Sequence, residues 1–321
     1  NKSMQLIKAI DMAILIISNN KLDHYEAALV DQFRRFNIPY LFVHNKSDEY
    51  PLLESTIKTV KEKYGSEIIS FSSIRPDSLD TLIQAITRQM PKSAYTAKSL
   101  LGSILSPGDI VMLITPIDLE APEGRMILPQ VQAIRDVLDN DCINIVLKET
   151  EVESFLQKTK IKPRLAITDS QVFGKMDKII PPDIPLTGFS VLLASQKGNF
   201  KAYLDGTPAI GKLKDRDQVL ILESCTHQVN CDDIGRYKIP EWLSEHTKKD
   251  LSFDVVAGLD EFPRPIQEYA LVVQCGGCMI TKKQLSSRLQ EAIEAGVPVT
   301  NYGMTIAWTH GMYERALAPF I

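Results

Sequence analysis

Two short runs hold the residues best suited to chemistry, Cys225-Thr226-His227 and Gln274-Cys275-Gly276-Gly277-Cys278. Each follows closely on an apolar run, residues 219–222 and 269–273. Such runs read as buried strands, and in open α/β sheets ligands gather beyond the carboxyl ends of strands. Thiolates are soft ligands, so three of them converging there suit a soft metal centre. Spacing alone leaves three readings open. Zinc would take a Cys₃His set of Cys225, His227, Cys275 and Cys278. A thioredoxin-like redox pair would use Cys275 and Cys278 between a strand and a helix, leaving Cys225 and His227 without a role. A [4Fe–4S] cluster would take Cys225, Cys275 and Cys278 and leave its fourth iron to another ligand.

A second constellation lies near the start of the chain. Asn45-Lys46-Ser47-Asp48 follows the apolar run 39–44. The Asp48 carboxylate can accept two hydrogen bonds from the N1 and N2 edge of guanine, and the Lys46 stem can lie across the base. The alternative is a polar loop after a strand. Ser70-Phe71-Ser72-Ser73, with Ser78-Leu79-Asp80-Thr81-Leu82 after it, favours base recognition. Together these segments resemble the base-binding half of translation-factor-type GTPases, in which a backbone N–H beside a Ser-Ala pair reaches guanine O6. Ser73 stands where alanine is usual. The phosphate-binding pattern G-x-x-x-x-G-K-[ST] and an Asp-x-x-Gly switch before Met12 are absent from the sequence. The 321-residue chain is therefore expected not to hydrolyse GTP by itself, with GTP or GDP and Mg²⁺ bound only by a complete G domain.

The elements that must position these residues alternate strand with helix, which predicts an α/β fold of three domains with mainly parallel sheets. Joints fall at Pro91-Lys92-Ser93 and at Pro181-Pro182-Asp183-Ile184-Pro185, giving domains 1–92, 93–182 and 183–321. In the first, strands are expected at 12–17, 39–44 and 67–71, with helices at 25–36 and 78–90. The second should hold strands 109–115, 144–147 and 165–168. Its helices should run at 151–157, at 170–179 and through 129–137, the last opened by Pro129. Strands near 191–194, 219–222, 253–256, 270–273 and 297–300 are expected in the third. Its helix 283–295 should end at Gly296 in a left-handed cap.

Composition narrows the classes. Hydrophobic content of 44% and charged content of 24% are ordinary for a globular protein. A net charge of -4 and an aromatic share of 7% supply neither a basic footprint nor a stacking platform for nucleic acid. No apolar stretch approaches the roughly 20 residues of a membrane helix, and residues 1–4 show no secretory signal. Five cysteines, an odd number, argue for a reducing cytoplasm rather than a disulfide framework. An iron–sulfur centre would add an anaerobic or protected setting. Cys142 reads as a packing residue; Cys231 is left out of the ligand set, although six residues after Cys225 it stands close enough to substitute. His24, His44, His246 and His310 lack partners at ligand spacing and read as structural.

The cysteine pattern extends into a wider resemblance. Cys-x-His, the intervening residues 228–273 and then Cys-x-x-Cys resemble the signature of the HydF family, the GTPase and scaffold proteins of [FeFe]-hydrogenase maturation. Residues 125–132 (RMILPQVQ), 167–171 (ITDSQ), 232–236 (DDIGR) and 296–303 (GVPVTNYG) are similar to that family as well, so the likeness covers essentially the whole chain. It implies a partial GTPase domain at 1–92 contacting guanine through Asn45, Lys46, Asp48 and Ser73. A dimerisation domain would follow at 93–182, and a domain at 183–321 would hold a [4Fe–4S] cluster on Cys225, Cys275 and Cys278. The implied cargo is a two-iron precursor bearing CO, cyanide and dithiolate ligands, carried to apo-[FeFe]-hydrogenase. Implied partners are two radical-SAM maturases and a second copy of the chain, as a homodimer or higher. The sequence departs from the family at Gln274, where histidine is usual, which excludes an imidazole ligand from that position. The fourth cluster position then falls to Asp118, in a loop with Glu120 and Glu123, to His227 or to Glu223. His227 could instead donate a hydrogen bond to a cysteine sulfur. No general-base dyad or nucleophile–His pair is found, so no catalytic residue is assigned. A GTP-regulated zinc-binding interaction module without iron chemistry is the alternative.

Overall fold

The computed structural model describes residues 6–7, 10–91, 99–117, 124–224, 233–258, 260–277 and 280–321. Two compact units divide the chain, Asn1–Lys98 and Ser99–Ile321. The protein is α/β, and every strand pairing among the described residues is parallel.

In the first unit, β1 (Ala13–Ser18), β2 (Tyr40–Asn45) and β3 (Ile68–Ser70) form a sheet in that order. Helices α1 (His24–Arg35), α2 (Glu54–Thr59) and α3 (Leu79–Gln89) connect and cover it. Central β2 is apolar on both faces because each face meets a helix. Phe42 packs with Val30 and Phe33 of α1, while Leu41 and Val43 pack with Leu82 and Ala85 of α3. A capping box starts α1: the Asp23 carboxylate accepts from Tyr25 N at 2.7 Å, and Glu26 accepts from Asp23 N at 2.9 Å.

The second unit holds two four-stranded sheets. One runs β5 (Ile143–Leu147), β4 (Ile110–Ile114), β6 (Leu165–Thr168), β7 (Leu186–Gly188). The other runs β11 (Val299–Asn301), β10 (Tyr269–Gln274), β8 (Gln218–Glu223), β9 (Ser252–Ala257). Their helices are α4 (Leu128–Asp139), α5 (Val152–Thr159), α6 (Phe173–Ile179), α7 (Phe189–Lys197), α8 (Phe200–Gly206), α9 (Ile239–Thr247), α10 (Lys282–Glu294), α11 (Tyr302–Thr309) and α12 (Tyr313–Leu317). Pro129 occupies the first turn of α4, and Gly296 takes φ +70° just past α10, as their chemistry predicts.

Two expectations change. Residues 191–194, expected as a strand, lie inside α7. Phe189, Leu192 and Leu193 pack with β4 and β6, while Val191 and Ala194 belong to a core shared with β8 and β10. A helix buried all round shows an unbroken apolar run, which periodicity cannot tell from a strand. The joint expected at 182/183 falls inside the second unit. Ile184 N donates to Pro181 O at 3.1 Å and Ala166 N to Pro185 O at 2.9 Å. The proline run is therefore a tight turn that delivers β7 to the edge of the sheet containing β6.

Candidate metal centre and guanine loop

Strands β8 and β10 are parallel neighbours with Leu222 opposite Gln274. Their carboxyl ends therefore lie side by side, and Cys225 and Cys275 follow those ends directly. Among the expected metal residues, Cys275 and Glu223 are described, while Cys225, His227, Cys278 and Asp118 lie outside the described residues, as does Cys231. Among the described residues no group of three or more His, Cys, Asp and Glu side chains converges as a metal site.

Cys275 is a buried free thiol, 9% exposed. Its Sγ accepts from Ser224 N at 3.1 Å and from Gln274 Nε2 at 3.6 Å. N–H donors aimed at sulfur fix its position, as bonds to metal-ligating cysteines do. Gln274 is fully buried; its Nε2 also donates to Ser224 Oγ at 2.8 Å, so it ties the start of the Cys225 segment to the Cys275 loop. Its Oε1 is buried without a hydrogen-bond partner. A sulfur held by N–H donors with an unsatisfied oxygen on the adjacent residue suits a metal–thiolate centre.

Glu223 does other work. Arg236 donates to it from Nε, at 3.0 Å to Oε1 and 3.2 Å to Oε2, and from a terminal nitrogen at 2.9 Å to Oε2. This pair closes the base of the segment that carries Cys225 and His227. Asp233 turns the returning chain by accepting from Gly235 N and Arg236 N at 2.9 and 3.0 Å. A side chain at Gly235 would meet Tyr302 Oη at 2.1 Å, which explains the small residue there. With both oxygens accepting from Arg236, Glu223 is a clasp at the base of that segment.

The Cys-x-x-Cys loop is shaped by Gly277, at φ +63° and with Leu285 Cδ1 only 2.4 Å from where a Cβ would stand. Lys197, at the end of α7, donates to Gly277 O at 3.2 Å and Ile280 O at 3.3 Å, bracketing the loop. Sequence reading gave no role to Lys197 or Arg236. Only the Asp-Asp-Ile-Gly-Arg run signalled one of them.

In the first unit the guanine candidates share one loop cluster at the carboxyl end of β2. Ser72 Oγ donates to Asp48 Oδ1 at 2.5 Å, and Ser73 N donates to Asn45 Oδ1 at 3.2 Å. Lys46 adopts φ +60°, a left-handed turn held by Glu49 N and Tyr50 N on its carbonyl. The Ser72 hydroxyl, with Arg75 and Lys46 adding to it, holds the exposed Asp48 carboxyl below its ordinary range. Asp48 is thus ionised at neutral pH, as an acceptor for two N–H groups must be. Ser73 spends its own N–H on Asn45. His44, buried beneath this loop, accepts from Asn20 N at 3.3 Å, and burial lowers its pKa. Cys142 is a core residue donating to Ser106 O and Asn140 O, both at 3.2 Å.

Two family models match the second unit. The hydrogen maturase F dimerization domain matches residues 100–198, and the hydrogen maturase F tetramerization domain matches residues 201–319. Together they take in well over half of the chain. No curated protein matches it. The two matches part between 198 and 201, beyond the end of α7, and not at the proline run.

Proposed function

The chain belongs to the hydrogen maturase F family, and from that premise we propose that it is a scaffold that holds a [4Fe–4S] cluster and carries a two-iron precursor to apo-[FeFe]-hydrogenase. Its dimerization and tetramerization domains support self-association and a role in hydrogenase maturation. The observation that carries the cluster reading is the Cys275 sulfur, buried at the strand ends and accepting from Ser224, the residue before Cys225. Cys225, Cys275 and Cys278 are the proposed ligands. When bound, a [4Fe–4S] centre on three thiolates supplies one iron with an exchangeable position.

Around that centre the protein's own residues fix geometry. Ser224 and Gln274 orient Cys275, Lys197 brackets the Cys-x-x-Cys loop, and the Glu223–Arg236 pair closes the Cys225 segment. Asp118, His227 and Glu223 are the proposed fourth ligands or cluster neighbours, Glu223 being held in place by Arg236. The two free thiols described, Cys142 and Cys275, accord with a reducing cytoplasm. Among the described residues no helix is long and apolar enough to cross a membrane. The loop of Asn45, Lys46, Asp48 and Ser73 would bind the guanine of GTP or GDP within a complete G domain, with Mg²⁺ at the phosphates. Nucleotide state would then modulate contact with the radical-SAM maturases.

Transfer tests the proposal. Anaerobically loaded protein is mixed with apo-hydrogenase and hydrogen evolution is followed. The wild type should activate the hydrogenase and Cys275→Ala should not. Equal activation by both would remove the reading.

A further inference from the structure

Helix α10 carries one charged residue into the interior. Arg288 is 8% exposed, and its guanidinium donates to Glu223 O at 2.5 Å and to Val256 O at 3.0 Å. Both acceptors are neutral carbonyls near the carboxyl ends of β8 and β9. Among the described residues no carboxylate forms an ion pair with it, because the carboxylate of Glu223 is taken by Arg236. A buried cation without an anion is strongly unfavourable, so buried charges are as a rule paired or placed against a metal centre. Burial pulls this guanidinium below its usual range. The peptide group whose oxygen Arg288 binds, Glu223–Ser224, is the one whose N–H donates to Cys275 Sγ, so the guanidinium and the sulfur lie on the two sides of one peptide unit.

We propose that Arg288 is the buried counter-charge of an anionic thiolate–metal centre at Cys275, and that it sets the reduction potential of that centre. The inference rests on the cluster reading above. Several thiolates around one iron–sulfur core place negative charge at the ends of β8 and β10, and reduction by one electron adds another negative charge. A fixed cation held by two carbonyls favours the reduced form and raises the potential. Glu223 and Arg236 neutralise each other, so among the described residues Arg288 has no salt-bridge partner where it meets the ends of β8 and β9. Arg288 touches neither substrate nor cluster in this account. It is a positioning and electrostatic residue.

The test uses the full chain as wild type, R288K and R288Q, with R288M as a second neutral side chain should R288Q not fold. Circular dichroism checks folding. Iron and sulfide are then assayed after anaerobic reconstitution, and the loaded centre is titrated with dithionite, which donates one electron per centre, under EPR. The neutral variants should be about tenfold harder to reduce at a fixed potential, a downward shift of about 59 mV for one electron, while R288K stays near the wild type. A folded neutral variant that takes up no iron while R288K loads also supports the proposal. Equal potentials in all variants, or loss of the centre in folded R288K as in R288Q, would overturn it, the latter by showing that the carbonyl bonds matter and the charge does not. Wild type without iron would sink the cluster reading itself, and this inference with it.

Discussion

The backbone N–H of Ser224 donates to the sulfur of Cys275 across 3.1 Å. Residues far apart in sequence thus meet because β8 and β10 are parallel neighbours ending at the same level. Any ligand bound by Cys275 sits where the Cys225 segment begins.

The two partners of the clasp should respond unequally to truncation. Glu223 has a side chain only 4% exposed, whereas that of Arg236 is 37% exposed. Arg236→Ala leaves a buried carboxylate uncompensated and should cost on the order of 3 kcal/mol. Glu223→Gln frees a half-exposed guanidinium to turn into water, so its cost should be nearer ~1 kcal/mol. Urea unfolding of both variants measures this. Equal losses would show that the pair is not closing the Cys225 segment in the manner described.

Acid should weaken the guanine loop in a defined direction. Asp48 has a folded-state pKa depressed chiefly by the Ser72 hydroxyl. Its contribution to stability is therefore present above the unfolded value of about 3.9 and is lost as pH falls through the lower folded value. Ser72→Ala should move the Asp48 midpoint upward in a carboxyl-detected NMR titration. A midpoint that stays put would assign the depression to another cause.

Self-association should be sensitive to β5. This edge strand reads Ile-Asn-Ile-Val-Leu without a charge, with Ile143 and Val146 exposed at 53% and 43%. Neighbouring α4 exposes Val131 and Leu138. An uncharged open edge is a ready pairing surface, and it lies within the matched dimerization domain. Val146→Lys should weaken the dimer by tenfold or more in light scattering across a dilution series. An unchanged mass at every concentration would place the interface elsewhere.

Much of this architecture was legible from residue patterns. The four-residue run of β6 is apolar and bounded by polar turns, and it appears where expected. The capped α10 and the glycine after it were equally plain, because capping chemistry is local. By contrast, α7 carried no helical period because both its sides are buried, and the proline run suggested a linker where the fold needs a turn. Glu223 looked like a ligand because it is a carboxylate just before Cys225. The partner that holds it, Arg236, lies beyond the loop, thirteen residues away. Arg288 and Lys197 sit on helices, where charged residues ordinarily face solvent, so their inward roles depend on tertiary packing that no local pattern encodes.

Cys275 is proposed as a ligand of a [4Fe–4S] centre. Iron and acid-labile sulfide per chain, measured on anaerobically reconstituted wild type and Cys275→Ala, test it most directly. The wild type should be brown, with about four irons and four sulfides per chain, and Cys275→Ala should hold far less of both. A colourless wild type holding stoichiometric zinc, or a Cys275→Ala protein with a full complement of iron and sulfide, would contradict it.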